Sequence, residues 1–179
     1  MNKDLIEQYK LLHGKKAGYG SGKGFGGQRY FNDLIEFLEK GNCKTILDFG
    51  CGKGELAKEL NKLGFECQGY DPAIKVFHTF PNKKFDCVVS TDVFEHLDKD
   101  DMHEEFTLIK SVKPKYLFFN VATRKAGNVL PNGLNCHTIV ENSKWWQDTI
   151  EKSFEDYKIT KVRDNSHMAH SVIMHLELK

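Results

Sequence analysis

The sequence predicts an α/β fold, a doubly wound and mostly parallel sheet of the seven-stranded type with helices on both faces. Short apolar runs of strand length alternate with amphipathic helical segments along the chain. Residues 45–70 contain a strand, a glycine turn, a helix and a second strand, which is the pattern of a right-handed βαβ unit. The chain has 179 residues and 40% apolar residues, which suits one domain with its own core.

Each element has a local signal. The predicted helices carry an apolar stripe at helical spacing, and they cover residues 4–12, 32–40, 55–63, about 98–110 and 143–152. The predicted strands are short apolar runs between turn residues, and they cover 45–49, 65–70, 85–90, 116–121, 157–162 and 171–178. We expect the last strand to be antiparallel. The segment after the second strand, residues 73–84, is short for a helix plus a strand, so we expect an abbreviated connection there.

The sequence divides into an N-terminal segment, residues 1–31, and a single domain, residues 32–179. Between His13 and Gln28 the chain has seven glycines together with Lys15, Lys16 and Lys23, and it has no acidic residue. Two interpretations stay open for this basic stretch, a flexible arm or a lid that closes over a small polar or anionic ligand.

The overall charge and the hydropathy of the sequence limit the classes of binding partner that we expect. Lys and Arg number 26 against 25 acidic residues, so nothing in the overall charge indicates a dedicated nucleic-acid or membrane-surface protein. No apolar stretch approaches the ~20 residues of a bilayer span, and the first ten residues do not resemble a secretory signal. The five cysteines form no C-x-x-C pair, which favours reduced thiols. We therefore expect a cytoplasmic protein with a small-molecule substrate, nucleic acid being the less favoured partner.

A cradle for an adenine nucleoside is predicted at the ends of the first two strands. Gly50, Gly52 and Gly54 follow the first strand, where a tight turn and a close ligand approach both favour glycine. Asp71 lies at the tip of the second strand, where a carboxylate can accept hydrogen bonds from a ribose diol. The spacing of the glycines, with Asp48 in front of them, favours a cationic amino-acid group over a pyrophosphate.

Three motifs in the sequence resemble those of a known enzyme family. Ile46 to Gly54, Gly69 to Pro72 and Phe85 to Leu97 are similar to the corresponding motifs of class I S-adenosylmethionine-dependent methyltransferases, over most of residues 43–121. The resemblance implies an enzyme whose cofactor is S-adenosylmethionine. It implies cofactor contacts from Asp48, Gly50, Cys51, Gly52, Gly54, Asp71, Pro72, Ser90, Thr91, Asp92 and Val93. The interval between Asp71 and Phe85 is shorter than in that family, so Phe77 or Phe80 is a candidate for the adenine contact.

The residues after the third strand suggest how an acceptor is activated. A neutral hydroxyl is a poor nucleophile at pH 7, so it needs a base or a metal ion. Asp92, Glu95 and His96 follow that strand and His137 follows the next one, and together they suit Mn²⁺, Fe²⁺, Co²⁺ or Zn²⁺ better than Mg²⁺. This set resembles the metal site of the small-RNA 3′-end 2′-O-methyltransferases, with Asp92 in place of a Glu, and ubiquinone-pathway O-methyltransferases carry a similar stretch. A metal-free role for Glu95, His96 and His137, as base or hydrogen-bond partners, stays open.

These residues lead us to expect O-methylation of a small polar metabolite or a saccharide-type acceptor, phosphorylated or not. Arg124 and Lys125, with Asn128, Asn132 and Asn135, would suit such a substrate. The alternative within the same class is 2′-O-methylation of RNA ends. The alternatives of another class are a nicotinamide-dependent reductase, which the glycine spacing disfavours, and a non-catalytic protein that binds S-adenosylmethionine.

Overall fold

The computed structural model describes residues 2–15, 30–165 and 170–179. In these residues one sheet lies between helices. The elements are α1 (Lys3–Lys15), α2 (Phe31–Lys40), β1 (Thr45–Phe49), α3 (Glu55–Lys62), β2 (Glu66–Tyr70), β3 (Cys87–Thr91), a 3-10 turn (Phe94–His96), α4 (Met102–Ser111), β4 (Tyr116–Ala122), α5 (Ser143–Ser153), β5 (Tyr157–Asp164) and β6 (Ser171–Leu178). Most of the glycine-rich basic stretch, including Lys16 and Lys23, lies outside the described residues.

The sheet has the strand order β2-β1-β3-β4-β6-β5. Strands β2, β1, β3 and β4 are parallel, whereas β6 is antiparallel to both β4 and β5. The predicted doubly wound α/β fold with an antiparallel last strand is therefore confirmed. The strand order reverses between β1 and β3, and a ligand crevice is expected beyond the carboxyl ends of strands at such a point.

The described part of the sheet has the six strands that the sequence analysis placed, one fewer than the seven of the seven-stranded type. Residues 71–86, which follow β2, form turns and irregular structure rather than a further strand. A parallel neighbour needs a crossover of about a dozen or more residues before the strand itself, and this segment is too short for both. Strand β2 is consequently the edge of the sheet.

The two faces of the sheet carry separate cores. Successive strand residues point to opposite faces, so Ile46 packs with Leu34 and Leu60 under α2 and α3, while its neighbour Leu47 belongs to the other core. That second core includes Phe106 of α4 and Trp146 of α5. The central strands read as continuous apolar runs because both of their faces are covered.

The outer edge of β2 is capped by one side chain of α3. The Asn61 amide nitrogen donates to the Cys67 carbonyl at 2.9 Å, and its amide oxygen accepts from the Cys67 N–H at 2.9 Å. These bonds replace part of the ladder that a neighbouring strand would supply, which protects an otherwise open edge.

Helix α1 lies against the loop that follows β4. Its apolar side Leu5, Tyr9 and Leu12 packs with Leu130 and Cys136 in a third, smaller core. This contact places the N-terminal helix beside the carboxyl ends of the strands. Among the described helices, none is both long and apolar enough to cross a membrane.

Candidate active site

The turn after β1 is built from three glycines in the left-handed region. Their φ angles are 78° for Gly50, 53° for Gly52 and 76° for Gly54, a conformation that costs other residues energy. The N–H groups of Gly50 and Cys51 donate to the Tyr70 carbonyl at 2.8 and 3.0 Å. The glycine turn is thereby held against the end of β2.

Side chains of the protein occupy the space that the missing Cβ atoms leave. A Cβ on Gly50 would lie 2.3 Å from a methyl carbon of Val93, and one on Gly54 would lie 2.8 Å from the ring of Phe77. The sequence predicts these glycines for a tight turn and for a close ligand approach. At both positions the structure shows close packing of Val93 and Phe77, which form the walls of the turn.

Asp48 is a buried carboxylate that lacks a full set of partners. It is 2% exposed, and its Oδ2 has no hydrogen-bond partner among the described residues. Burial raises its pKa to about 7, and the nearby charge of Asp71 adds to the effect. A bound ammonium group would supply the missing partner and favour the charged form of the acid.

Asp71 is tied to the glycine turn by its backbone partners. Its Oδ2 accepts from the Gly52 N–H and its Oδ1 from the Ala73 N–H, both at 2.9 Å. Burial raises its pKa, while the two backbone hydrogen bonds oppose that rise. Each carboxylate oxygen keeps a second lone pair that can accept from a ligand hydroxyl. Pro72 begins the turn that follows.

The end of β3 presents the next set of predicted residues. Ser90 is buried and its Oγ has no partner among the described residues, whereas Thr91 is half-buried. Asp92 has a φ of 55°, which is unusual for a residue with a side chain. Asn120 of β4 holds it there, accepting from the Asp92 N–H at 2.9 Å and donating to its Oδ1 at 3.0 Å.

Glu95, His96 and His137 form one cluster beyond β3. Each offers one potential ligand atom, and these three atoms lie within 4.8 Å of one another. Glu95 is fully buried, its Oε1 accepts from the Ala122 N–H at 3.0 Å, and its Oε2 has no partner among the described residues. The structure thus brings together three of the four predicted metal ligands. Asp92 is exposed and lies outside this three-residue group.

Both histidines are held in the same tautomer. Nδ1 of His96 lies 2.8 Å from the Cys136 carbonyl, and Nδ1 of His137 contacts the Arg124 carbonyl. Because a carbonyl only accepts, each Nδ1 must carry the proton. Burial lowers the pKa of both rings, that of His96 to about 4. At neutral pH both rings are therefore uncharged and keep the lone pair on Nε2.

Two tyrosines near these residues were missed by sequence reasoning. Tyr30 precedes α2, is 5% exposed and hydrogen-bonds the side chain of Thr91. Tyr9 of α1 contacts His96 through its hydroxyl at 2.9 Å. In the sequence, Tyr9 is a residue with a polar hydroxyl on the apolar face of a predicted helix. That pattern does not reveal its hydrogen-bond partner His96, which is 87 residues away.

Comparisons with known proteins agree on the fold. A family model described as a methyltransferase domain matches residues 26–164. No curated protein matches the chain significantly. Among solved structures, the methyltransferase domain of bacterial CtHen1 superposes with a TM-score of 0.65 at 17% identity, covering 84% of this chain and 98% of that one.

Two other solved structures have comparable similarity. The 1,6-didemethyltoxoflavin-N1-methyltransferase of Burkholderia thailandensis, solved with S-adenosylhomocysteine, has a TM-score of 0.68 at 10% identity and covers 98% of this chain and 88% of its own. The small RNA methyltransferase HEN1 has a TM-score of 0.63 at 16% identity and covers 85% of this chain and 25% of its own. At these identities the likeness shows a shared fold.

Proposed function

This chain belongs to the family of methyltransferase domains and has the class I fold that uses S-adenosylmethionine as methyl donor. On that basis, we propose that it methylates a hydroxyl group of a small polar or saccharide-type acceptor, and that a divalent metal ion assists the reaction. One observation carries this proposal, the convergence of Glu95, His96 and His137 beyond the carboxyl end of β3. All three present electron pairs, and a hydroxyl acceptor is the kind of substrate that needs such groups.

The donor would lie in the cradle formed by β1, β2 and β3. Asp48 would bind the ammonium group, because its buried Oδ2 has no partner among the described residues. Asp71 would accept from the ribose hydroxyls, and Ser90 to Val93 would flank the sulfonium. When bound, S-adenosylmethionine supplies an activated methyl group, so the protein has to align the two reactants and exclude water.

A divalent ion fits the three-residue cluster. Two neutral imidazoles and one carboxylate are a donor set for Mn²⁺, Fe²⁺, Co²⁺ or Zn²⁺. The Glu95 carboxylate is buried with its Oε2 unpartnered among the described residues, and a cation would offset that cost. An ion bound there would lower the pKa of an acceptor hydroxyl. Asp92, which lies outside the cluster, is left out of the proposed ligand set.

The mechanism without a metal uses the same residues. The Nε2 lone pair of His96 or His137 can take the proton of the acceptor hydroxyl directly, since both rings are neutral at physiological pH. Glu95, whose pKa burial raises well above its usual value, would then hold a proton rather than a cation. Removal of metal ions separates the two mechanisms.

The loop between β4 and α5 suggests an acceptor with negative charge. Arg124 and Lys125 are exposed on this loop, and the Arg124 carbonyl orients His137. A cationic edge beside the cluster suits a phosphorylated metabolite, because guanidinium and ammonium groups bind phosphate oxygens.

The ribose 2′-hydroxyl at an RNA end is the second candidate acceptor. The Glu-His pair followed by a distant histidine resembles the small-RNA enzymes, and the similarity in fold to CtHen1 and HEN1 supports the same candidate. Binding to RNA should weaken steeply with salt, whereas binding to an uncharged saccharide should not.

The decisive experiment measures methyl transfer to sugars, sugar phosphates and short RNAs, before and after metal removal and after adding back Mn²⁺, Co²⁺ or Zn²⁺. We expect transfer to a hydroxyl that is lost with chelator and restored by one of these ions. His137→Ala should lose this activity, and His103→Ala, which removes an exposed histidine of α4, should keep it. Turnover that persists after complete metal removal would rule out the ion, and transfer only to nitrogen or sulfur acceptors would rule out O-methylation.

A further inference from the structure

Tyr9 connects the N-terminal helix to the histidine cluster. Its side chain is buried, with 7% exposure, although it lies on the first helix of the chain. Its hydroxyl lies 2.9 Å from Nδ1 of His96 and donates to the Cys136 carbonyl at 2.7 Å. The edge of one ring faces the plane of the other, with centroids 5.4 Å apart. Tyr9 therefore contacts both the ring and the carbonyl that hold His96.

The directions of these hydrogen bonds are fixed by chemistry. The Cys136 carbonyl accepts from both Tyr9 and His96, because it has no proton to give. The phenol proton of Tyr9 points to that carbonyl, so the Tyr9 oxygen meets His96 Nδ1 as an acceptor. The Nδ1–H group thus has two acceptors. Both favour the tautomer that leaves the lone pair on Nε2.

The position of Tyr9 depends on how α1 packs. Leu5 and Leu12 flank Tyr9 in the small core against Leu130 and Cys136. The Asn132 N–H donates to Oε1 of Gln8 at 2.9 Å, which ties the same helix to the loop before His137. Helix α1 (Lys3–Lys15) precedes residues 26–164, which the family model matches.

We propose that Tyr9 is a positioning residue for the methyl-transfer site. Helix α1 thereby contributes to the function of that site. The hydroxyl strengthens the hold that the Cys136 carbonyl has on the tautomer and the rotation of the His96 ring, so that Nε2 keeps its lone pair and its direction. What Nε2 of His96 does in the reaction, metal binding or proton removal, rests on the proposed function. Partners of this kind orient a histidine without touching the substrate.

Tyr9→Phe tests the hydroxyl, since it keeps the ring and its packing. A matched control exists in Tyr157→Phe, because Tyr157 is also buried and its hydroxyl also donates to a backbone carbonyl, that of Pro114 at 2.7 Å. Loss of a partner that orients a histidine typically costs about 10- to 100-fold in activity or metal affinity. We expect kcat of Tyr9→Phe to fall within that range with the KM for S-adenosylmethionine unchanged, and kcat of Tyr157→Phe to stay at the wild-type value.

A second readout is independent of any acceptor. Nitrogen NMR of the histidine side chains in the purified protein should show His96 as the Nδ1–H tautomer in the wild type and in Tyr157→Phe. In Tyr9→Phe its signals should move toward those of a ring that exchanges tautomers. Unchanged His96 signals in Tyr9→Phe would overturn the positioning role, as would an equal loss of kcat in both variants. If the wild type methylates no hydroxyl, the proposed function fails, and the NMR comparison still decides the role of Tyr9.

Discussion

Replacing Gly50 by alanine should damage both the stability of the fold and the binding of the donor. Gly50 has a φ of 78°, and the left-handed conformation costs a residue with a side chain about 1–2 kcal/mol. The new Cβ would lie 2.3 and 2.8 Å from the two methyl carbons of Val93 and 3.1 Å from its Cβ. Rotating Val93 cannot relieve all three contacts. Overpacking in a buried site adds about 1–3 kcal/mol, so the expected loss of unfolding free energy is about 2–5 kcal/mol.

Gly64→Ala is the matched control for this loss. Gly64 also has a positive φ, 91°, but its added Cβ would have no neighbour within 4 Å. It should lose only the conformational term, about 1–2 kcal/mol. The difference between the two variants, measured by urea denaturation, isolates the contact with Val93. Calorimetry with S-adenosylhomocysteine should show weaker binding for Gly50→Ala alone. Equal losses of stability in both variants would refute the packing argument.

The charge state of Asp48 should appear in the pH dependence of stability. The pKa of Asp48 is about 7 in the folded protein and ~3.9 in an unfolded chain. The stability that Asp48 contributes is therefore complete below pH ~3.9, and it is lost as the pH rises through about 7. Asp48→Asn should flatten this decline in cofactor-free protein and weaken S-adenosylhomocysteine binding about 10-fold or more; an unchanged urea–pH profile would contradict the assignment. Asn61→Ala should lower the unfolding free energy by about 1–3 kcal/mol, because it removes both hydrogen bonds that cap Cys67 at the sheet edge, each worth about 0.5–1.5 kcal/mol. If urea denaturation of Asn61→Ala matches the wild type, water replaces the cap without cost.

Local patterns in the sequence determined the elements and the class of the fold. The strands at Thr45–Phe49 and Ser171–Leu178 have the predicted bounds, because an apolar run between turn residues is a property of neighbouring positions. Three glycines at alternate positions likewise indicated a turn with positive φ, which is a local backbone requirement. The resemblance in three motifs was enough to indicate the methyltransferase family, because those motifs are short and contiguous. The length of the segment after the second strand likewise predicted an abbreviated connection, and residues 71–86 form turns and irregular structure there.

The tertiary structure alone decided which side chains meet. Glu95 and His137 are far apart in the sequence, and they converge because β3 and β4 are parallel neighbours whose carboxyl ends lie at one edge of the sheet. Asp92 is close to Glu95 in sequence and was expected beside it, but its backbone conformation and its bonds to Asn120 leave it outside the cluster. Tyr9 reaches His96 only through the packing of α1. Periodicity reports which face of an element is apolar, whereas the partner of a polar atom depends on how whole elements pack together.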